Sequence, residues 1–200
     1  MKKDLLVIVD MVNGFVREGN LHDFYINHIT KQIKSLTEEF IRKGNHIVAF
    51  KDCHQLGDIE FETYPVHCLE GTSESELIPE LKPLESNMVM IPKNTTNGFN
   101  TKQFQEFYMK HYKEIENIVV VGCCTDICVT DFTTSLVHFQ QENGIEVPII
   151  VPIDMVETFD SEVHPREVYN ELGFEKMRKA GVTLVSNYSE YKKTEKTKRK

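Results

Sequence analysis

Five consecutive apolar residues, Leu5-Leu6-Val7-Ile8-Val9, precede a segment in which Ile26, Ile29, Ile33, Leu36, Phe40 and Ile41 recur at helical spacing and stop at Gly44. A strand that is apolar at every position is buried on both faces, and a helix following it is the crossover that a parallel neighbour requires. The pairing repeats. Further strands are predicted at His46–Phe50, Met88–Ile91, Ile118–Val121, Val147–Val151 and Val182–Val185, with helices over 101–113, 126–142 and 164–180. The chain therefore reads as an α/β fold, a six-stranded parallel sheet flanked by helices on both faces. In such sheets ligands bind beyond the carboxyl ends of the strands. The segment 52–87, between the second and third strands, is too long for a plain connection and reads as a functional loop.

Two hundred residues suit one domain, assigned to 1–190, with no internal repeat and no apolar run approaching a membrane span. The formal net charge is −8, yet the last nine residues, KKTEKTKRK, carry a net +5, which leaves −13 on the rest. That balance repels phosphate backbones and excludes nucleic acid as a partner. Residues 191–200 read as a basic disordered tail. Five cysteines, an odd number including the adjacent Cys123 and Cys124, do not form a disulfide framework, so reduced thiols in a cytoplasmic protein are expected.

The informative polar residues fall just beyond predicted strands: Asp10 after the first, Asp52 and His54 after the second, Lys93 after the third, and GCCTDIC after the fourth. Thr125 or Asp126 suits the N-cap of the helix that comes next, which puts Cys128 in its first turn, where unpaired N–H groups and the dipole favour a thiolate. Cys123 and Cys124 lie in the preceding turn and read as small packing residues. Asp10, Lys93 and Cys128 make a set of base, cation and nucleophile suited to acyl transfer through a thioester, with amides of the 123–128 turn as an oxyanion hole. A redox pair of Cys124 and Cys128 competes, without the spacing of dithiol oxidoreductases.

Asp52 and His54 point the same way in an extended segment. With His67 and either Glu60 or Glu62 they form a donor set for one divalent metal, Zn²⁺, Mn²⁺ or Fe²⁺ rather than Ca²⁺. Cys53 and Cys68 are added soft ligands or, more simply, loop packing.

The ordered motifs LLVIVDMVNGFV, KDCH, YPVHCLEGT, IPKNTTNGF and VVGCCTDICV resemble the isochorismatase-like cysteine hydrolases, and within them the nicotinamidase branch. The resemblance spans nearly the whole chain without the tail. It implies Asp10 as proton acceptor, Lys93 as its charged partner, Cys128 as nucleophile, a cis Cys123–Cys124 peptide, and an oxyanion hole from the amides of Cys124 and Cys128. It places Asp52, His54 and His67 at metal-ligand positions with Glu60 as the best fourth match, and zinc as the expected ion. It sets Phe15, Tyr64 and Phe99 around an aromatic substrate ring and gives His164 a capping or packing role. The activity implied is hydrolysis of nicotinamide to nicotinate and ammonia in NAD salvage. A relative acting on another small amide, N-carbamoyl or ureido compound, and a non-catalytic metal-binding or thiol redox module, are the alternatives. Relatives are often dimers or tetramers, which leaves room for a homo-oligomer.

Overall fold

Leu5 to Val9 are almost fully buried because they sit in the middle of a sheet covered on both sides. The computed structural model of the chain describes residues 2–198. Its strands are β1 (Lys3–Val9), β2 (His46–Asp52), β3 (Val89–Lys93), β4 (Ile115–Cys123), β5 (Ile149–Pro152), β6 (Val156–Glu157) and β7 (Thr183–Val185). All pairings are parallel, in the order β3-β2-β1-β4-β5-β7. The six expected strands are present. A seventh, the two-residue β6, extends β4 by pairing with Gly122 and Cys123, and is too short to leave a periodic signal.

The helices are α1 (Asn13–Val16), α2 (Thr30–Arg42), α3 (Lys102–His111), α4 (Thr130–Asn143), α5 (Arg166–Ala180) and α6 (Tyr188–Lys198). The alternation along β1 divides the core in two. Leu5, Val7 and Val9 join Phe50, Phe104 and Phe132 on one face, while Leu6 and Ile8 join Ile33, Phe40 and Val121 on the other. Each such side chain contributes roughly 1.5–3 kcal/mol through burial, which makes this uninterrupted apolar run the anchor of the fold. None of the described helices is long and apolar enough to cross a membrane.

At the carboxyl edge β1 and β4 approach closely, with Val9 opposite Gly122. Gly122 has φ +117°, and a Cβ there would lie 2.0 Å from the Val9 carbonyl oxygen. Only glycine lets the two strand ends lie side by side, and the residues just beyond these ends, Asp10 and the 123–128 turn, build the site.

The end of the chain departs from the sequence reading. From residue 191 the structure continues a helix through Lys198, where a disordered tail is expected. Its first turns are fastened to β1: Tyr188 is buried, and its hydroxyl and the Lys192 ammonium both reach Asp4. Residues 199 and 200 of the expected tail lie outside the described residues.

Candidate active site

Asp10 leaves β1 in the left-handed region, φ 51°, a conformation that non-glycine residues adopt at a cost when the surroundings require it. Its carboxylate is fully buried, with Oδ2 2.8 Å from the Lys93 ammonium and Oδ1 without a hydrogen-bond partner among the described residues. Lys93 ends β3, in register with Asp52 at the end of β2, and its Nζ lies 2.7 Å from Asp52 Oδ1 and 4.0 Å from Cys128 Sγ. The three residues expected as a triad thus meet, brought together by the ends of β1 and β3 and the turn after β4.

That turn differs from expectation. It opens with a cis Cys123–Cys124 peptide and runs through a π-helical turn, Thr125–Val129, before α4 begins. Neither Thr125 nor Asp126 caps it: the Thr125 hydroxyl has no partner among the described residues, and Asp126 turns outward to His164 and Thr158. Cys123 is buried and donates its thiol hydrogen to the Asp10 carbonyl, a packing role.

Burial pushes the Cys128 thiol well up, and Lys93 offsets it only in part. Desolvation of the buried sulfur thus works against the thiolate that the start of a helix favours. Burial also raises the Asp10 carboxyl to about 6, with Lys93 pulling it down. Lys93 itself is pushed down by burial, but the Asp10 and Asp52 carboxylates more than reverse this and keep it charged. Burial thus favours the neutral form of both Cys128 and Asp10, and Lys93 opposes it at each.

Asp52 links this set to the second constellation. Its Oδ2 lies 2.9 Å from His54 Nε2 and 3.0 Å from His67 Nε2, and Glu60 Oε1 is 3.9 Å from each of those nitrogens. The four donors lie within 4.8 Å of one another. Glu62, the alternative, is exposed, and neither Cys53 nor Cys68 belongs to the converging set. Burial acts to raise Asp52, but Lys93 and the two imidazoles hold it far below the usual carboxylate range. Burial raises Glu60, and Asp52 outweighs burial to raise His54.

The donors fit a divalent cation. His67 Nδ1 donates to the Pro65 carbonyl at 2.7 Å, so a neutral ring turns the lone pair of Nε2 toward a carboxylate oxygen. Two acceptors face each other there, and a cation reconciles them. His54 Nδ1 is held in the same way by Asp58 Oδ2 at 3.1 Å, the outer partner that metal-binding imidazoles characteristically have.

A cavity of about 390 Å³ opens onto both constellations, lined by Glu60, His67, Cys124 and Cys128 and walled by Phe15 and Tyr64. Phe99 is not brought there. It packs in the core against Phe104 and Phe139, at centroid distances of 6.0 and 5.2 Å. The loop after β3 folds into a short turn, Gly98–Asn100, and Gly98 lies flat on Phe50 of β2, which turns Phe99 into the core.

Several lining residues carried no signal in the sequence, because loops bring them in. Asn20 to Asp23 and Phe159 with Asp160 form the outer walls, clasped by Arg166, which pairs with Asp23 at 2.5 Å and lies over Tyr25. His164 stacks between Phe159 and Tyr169 at 3.9 and 3.6 Å and reaches Asp126 Oδ2 at 2.9 Å. It ties the wall of the cavity to the turn that carries Cys128, which is more than the capping or packing expected of it.

Among known proteins, Nicotinamidase 1 of Arabidopsis thaliana is 34% identical over 92% of this chain and 86% of its own length. A solved nicotinamidase of Bacillus subtilis superposes with a TM-score of 0.76 at 25% identity, covering 93% of this chain and all of that one. A pyrazinamidase of Pyrococcus horikoshii, solved in complex with zinc, has the same fold at a TM-score of 0.71 and 23% identity, covering 92% of this chain and 98% of its own. The isochorismatase domain matches residues 4–187, so the chain belongs to the isochorismatase family.

Proposed function

We propose that this chain is a metal-dependent nicotinamidase, cleaving nicotinamide to nicotinate and ammonia in NAD salvage as a cytoplasmic enzyme. Its relative of 34% identity carries that activity in its name. The observation that carries the reading is that one small cavity is lined both by Cys124 and Cys128 and by the metal donors Glu60 and His67. A single-ring amide fits between them.

Asp52, His54, Glu60 and His67 hold the ion, and zinc is the one we assign to two imidazoles and two carboxylates, with manganese or iron as substitutes. When bound, it supplies a Lewis acid that anchors a ring nitrogen. Phe15 and Tyr64 flank the ring, leaving the carboxamide over Cys128. As Cys128 Sγ bonds to the amide carbon, its proton passes to Asp10, whose Oδ1 is unpartnered. The amides of Cys124 and Cys128 receive the developing oxyanion. Asp10 returns the proton to the amine, the C–N bond breaks and ammonia leaves. Water then attacks the thioester, giving one proton to Asp10, which passes it to the departing sulfur; the thiol re-forms and the acid leaves, releasing its remaining proton to solvent as nicotinate. Lys93 fixes Asp10 throughout and keeps the buried charges balanced.

The test is ammonia release from nicotinamide by the purified, zinc-loaded protein beside its Cys128→Ala variant. Turnover by the native chain alone is expected. No release from a folded, zinc-loaded native protein overturns nicotinamide as substrate.

A further inference from the structure

A second pair of imidazoles converges on one carboxylate oxygen far from the catalytic centre. His46 opens β2, His111 closes α3, and Glu114 lies in the turn that leads into β4. His46 Nε2 is 3.0 Å and His111 Nδ1 2.5 Å from the same atom, Glu114 Oε1. The three donors lie within 4.8 Å of one another. The ring centroids are 4.8 Å apart, against 4.6 Å for His54 and His67 around Asp52. The two clusters sit at opposite ends of β2, about 20 Å apart at roughly 3.3 Å per residue.

We propose that His46, His111 and Glu114 form a peripheral site for a divalent transition ion, Zn²⁺ in the first instance, held by three protein donors and water. The two imidazoles, borderline ligands, select such ions over Ca²⁺ or Mg²⁺, and the carboxylate adds charge. The donors come from three separate elements and are held before any ion arrives. Phe107, one turn earlier on α3, packs against both rings, edge-on to His46 at 5.8 Å and tilted against His111 at 4.8 Å. Bonds of about 2.0–2.2 Å in a tetrahedral shell separate neighbouring donors by roughly 3.4 Å, so the groups need open by less than about 1 Å. Glu114 is half exposed, which gives the ion an entry path and leaves room for water. In the metal-free chain the carboxylate oxygen accepts an N–H from each ring. On binding, the ion takes the place of those two hydrogens and each ring presents its lone pair. The site would clip the end of α3 to the amino edge of the sheet. It is independent of the reaction proposed above.

The test uses the untagged full-length chain, stripped with chelator and titrated with Zn²⁺ alone, bound zinc being counted after equilibrium dialysis. His46→Ala and His111→Gln should each bind one equivalent fewer than the native chain while nicotinamide hydrolysis stays unchanged. His54→Ala should lose a different equivalent, and the His54→Ala/His111→Gln double variant both. Zinc should raise the melting temperature of His54→Ala and not of the double variant. If His46→Ala and His111→Gln bind as many equivalents as the native chain across the titration, the site does not exist.

Discussion

Asp10 offers the sharpest check on the electrostatics. An ordinary aspartate loses its proton near 3.8, whereas burial raises Asp10 to about 6 against the pull of Lys93. Between those values the folded chain holds a proton that the unfolded chain has released. This group therefore favours the native state at low pH, and the advantage is lost as pH rises through about 6. A gap of roughly two pKa units corresponds to about 3 kcal/mol. Asp10→Asn cannot titrate, so subtracting its stability from that of the native chain isolates the effect. Urea unfolding of both proteins after chelator treatment should show the native chain losing about 3 kcal/mol relative to the variant from about pH 4 to about pH 7, then levelling. The same titration should set the acid limb of kcat/KM, about tenfold per pH unit below about 6, since a protonated Asp10 accepts nothing. A pH-independent stability difference, or a native chain that gains on the variant as pH rises, would refute the reasoning. Lys93 rather than burial would then govern the carboxyl.

Phe99→Ala, which empties part of the core, should cost about 3–5 kcal/mol of stability, while Phe15→Ala and Tyr64→Ala should act mainly on KM, as urea melts and steady-state kinetics would show. Glu60→Gln should weaken zinc binding at the catalytic site at least about tenfold and Glu62→Gln leave it unchanged, measured by competition with a chromogenic chelator. His164→Ala should lower kcat about 10- to 100-fold with little change in KM, because the rate depends on how the turn bearing Cys128 is held; a changed KM with native kcat would assign His164 to substrate binding instead.

The range of the forces involved decides which features were legible in the sequence. The uninterrupted apolar runs state that strands are buried on both faces, so the parallel sheet and its crossovers could be read directly. Asp10, Lys93 and Cys128 were legible because they stand at a strand end or in the turn that follows one, and parallel strands deliver their carboxyl ends to one edge. Asp52 and His54 were legible for the same reason, helped by their alternating spacing, whereas His67 stands in the long loop between β2 and β3 and was legible through its YPVHC motif.

Other features depended on neighbours distant in the chain. Glu60 and Glu62 are two residues apart in one polar loop, and only the folding of that loop turns the first inward and leaves the second in water. Phe99 looked equivalent to Phe15 until a tight turn packed it behind β2. The helix dipole at Cys128 is a local property, but the burial that pushes its thiol up comes from the packing of the whole fold, which no stretch of sequence contains. The Asp126–His164 contact joins residues 38 positions apart, and the fastening of α6 to Asp4 joins the two ends of the chain. The sequence by itself determined the order of strands and helices and the residue types at their ends, because hydrophobic periodicity and chain direction are local. The tertiary structure decided which carboxylate turns inward, which aromatics line the cavity and which buried groups have their protons shifted, because burial and dielectric are properties of the whole fold.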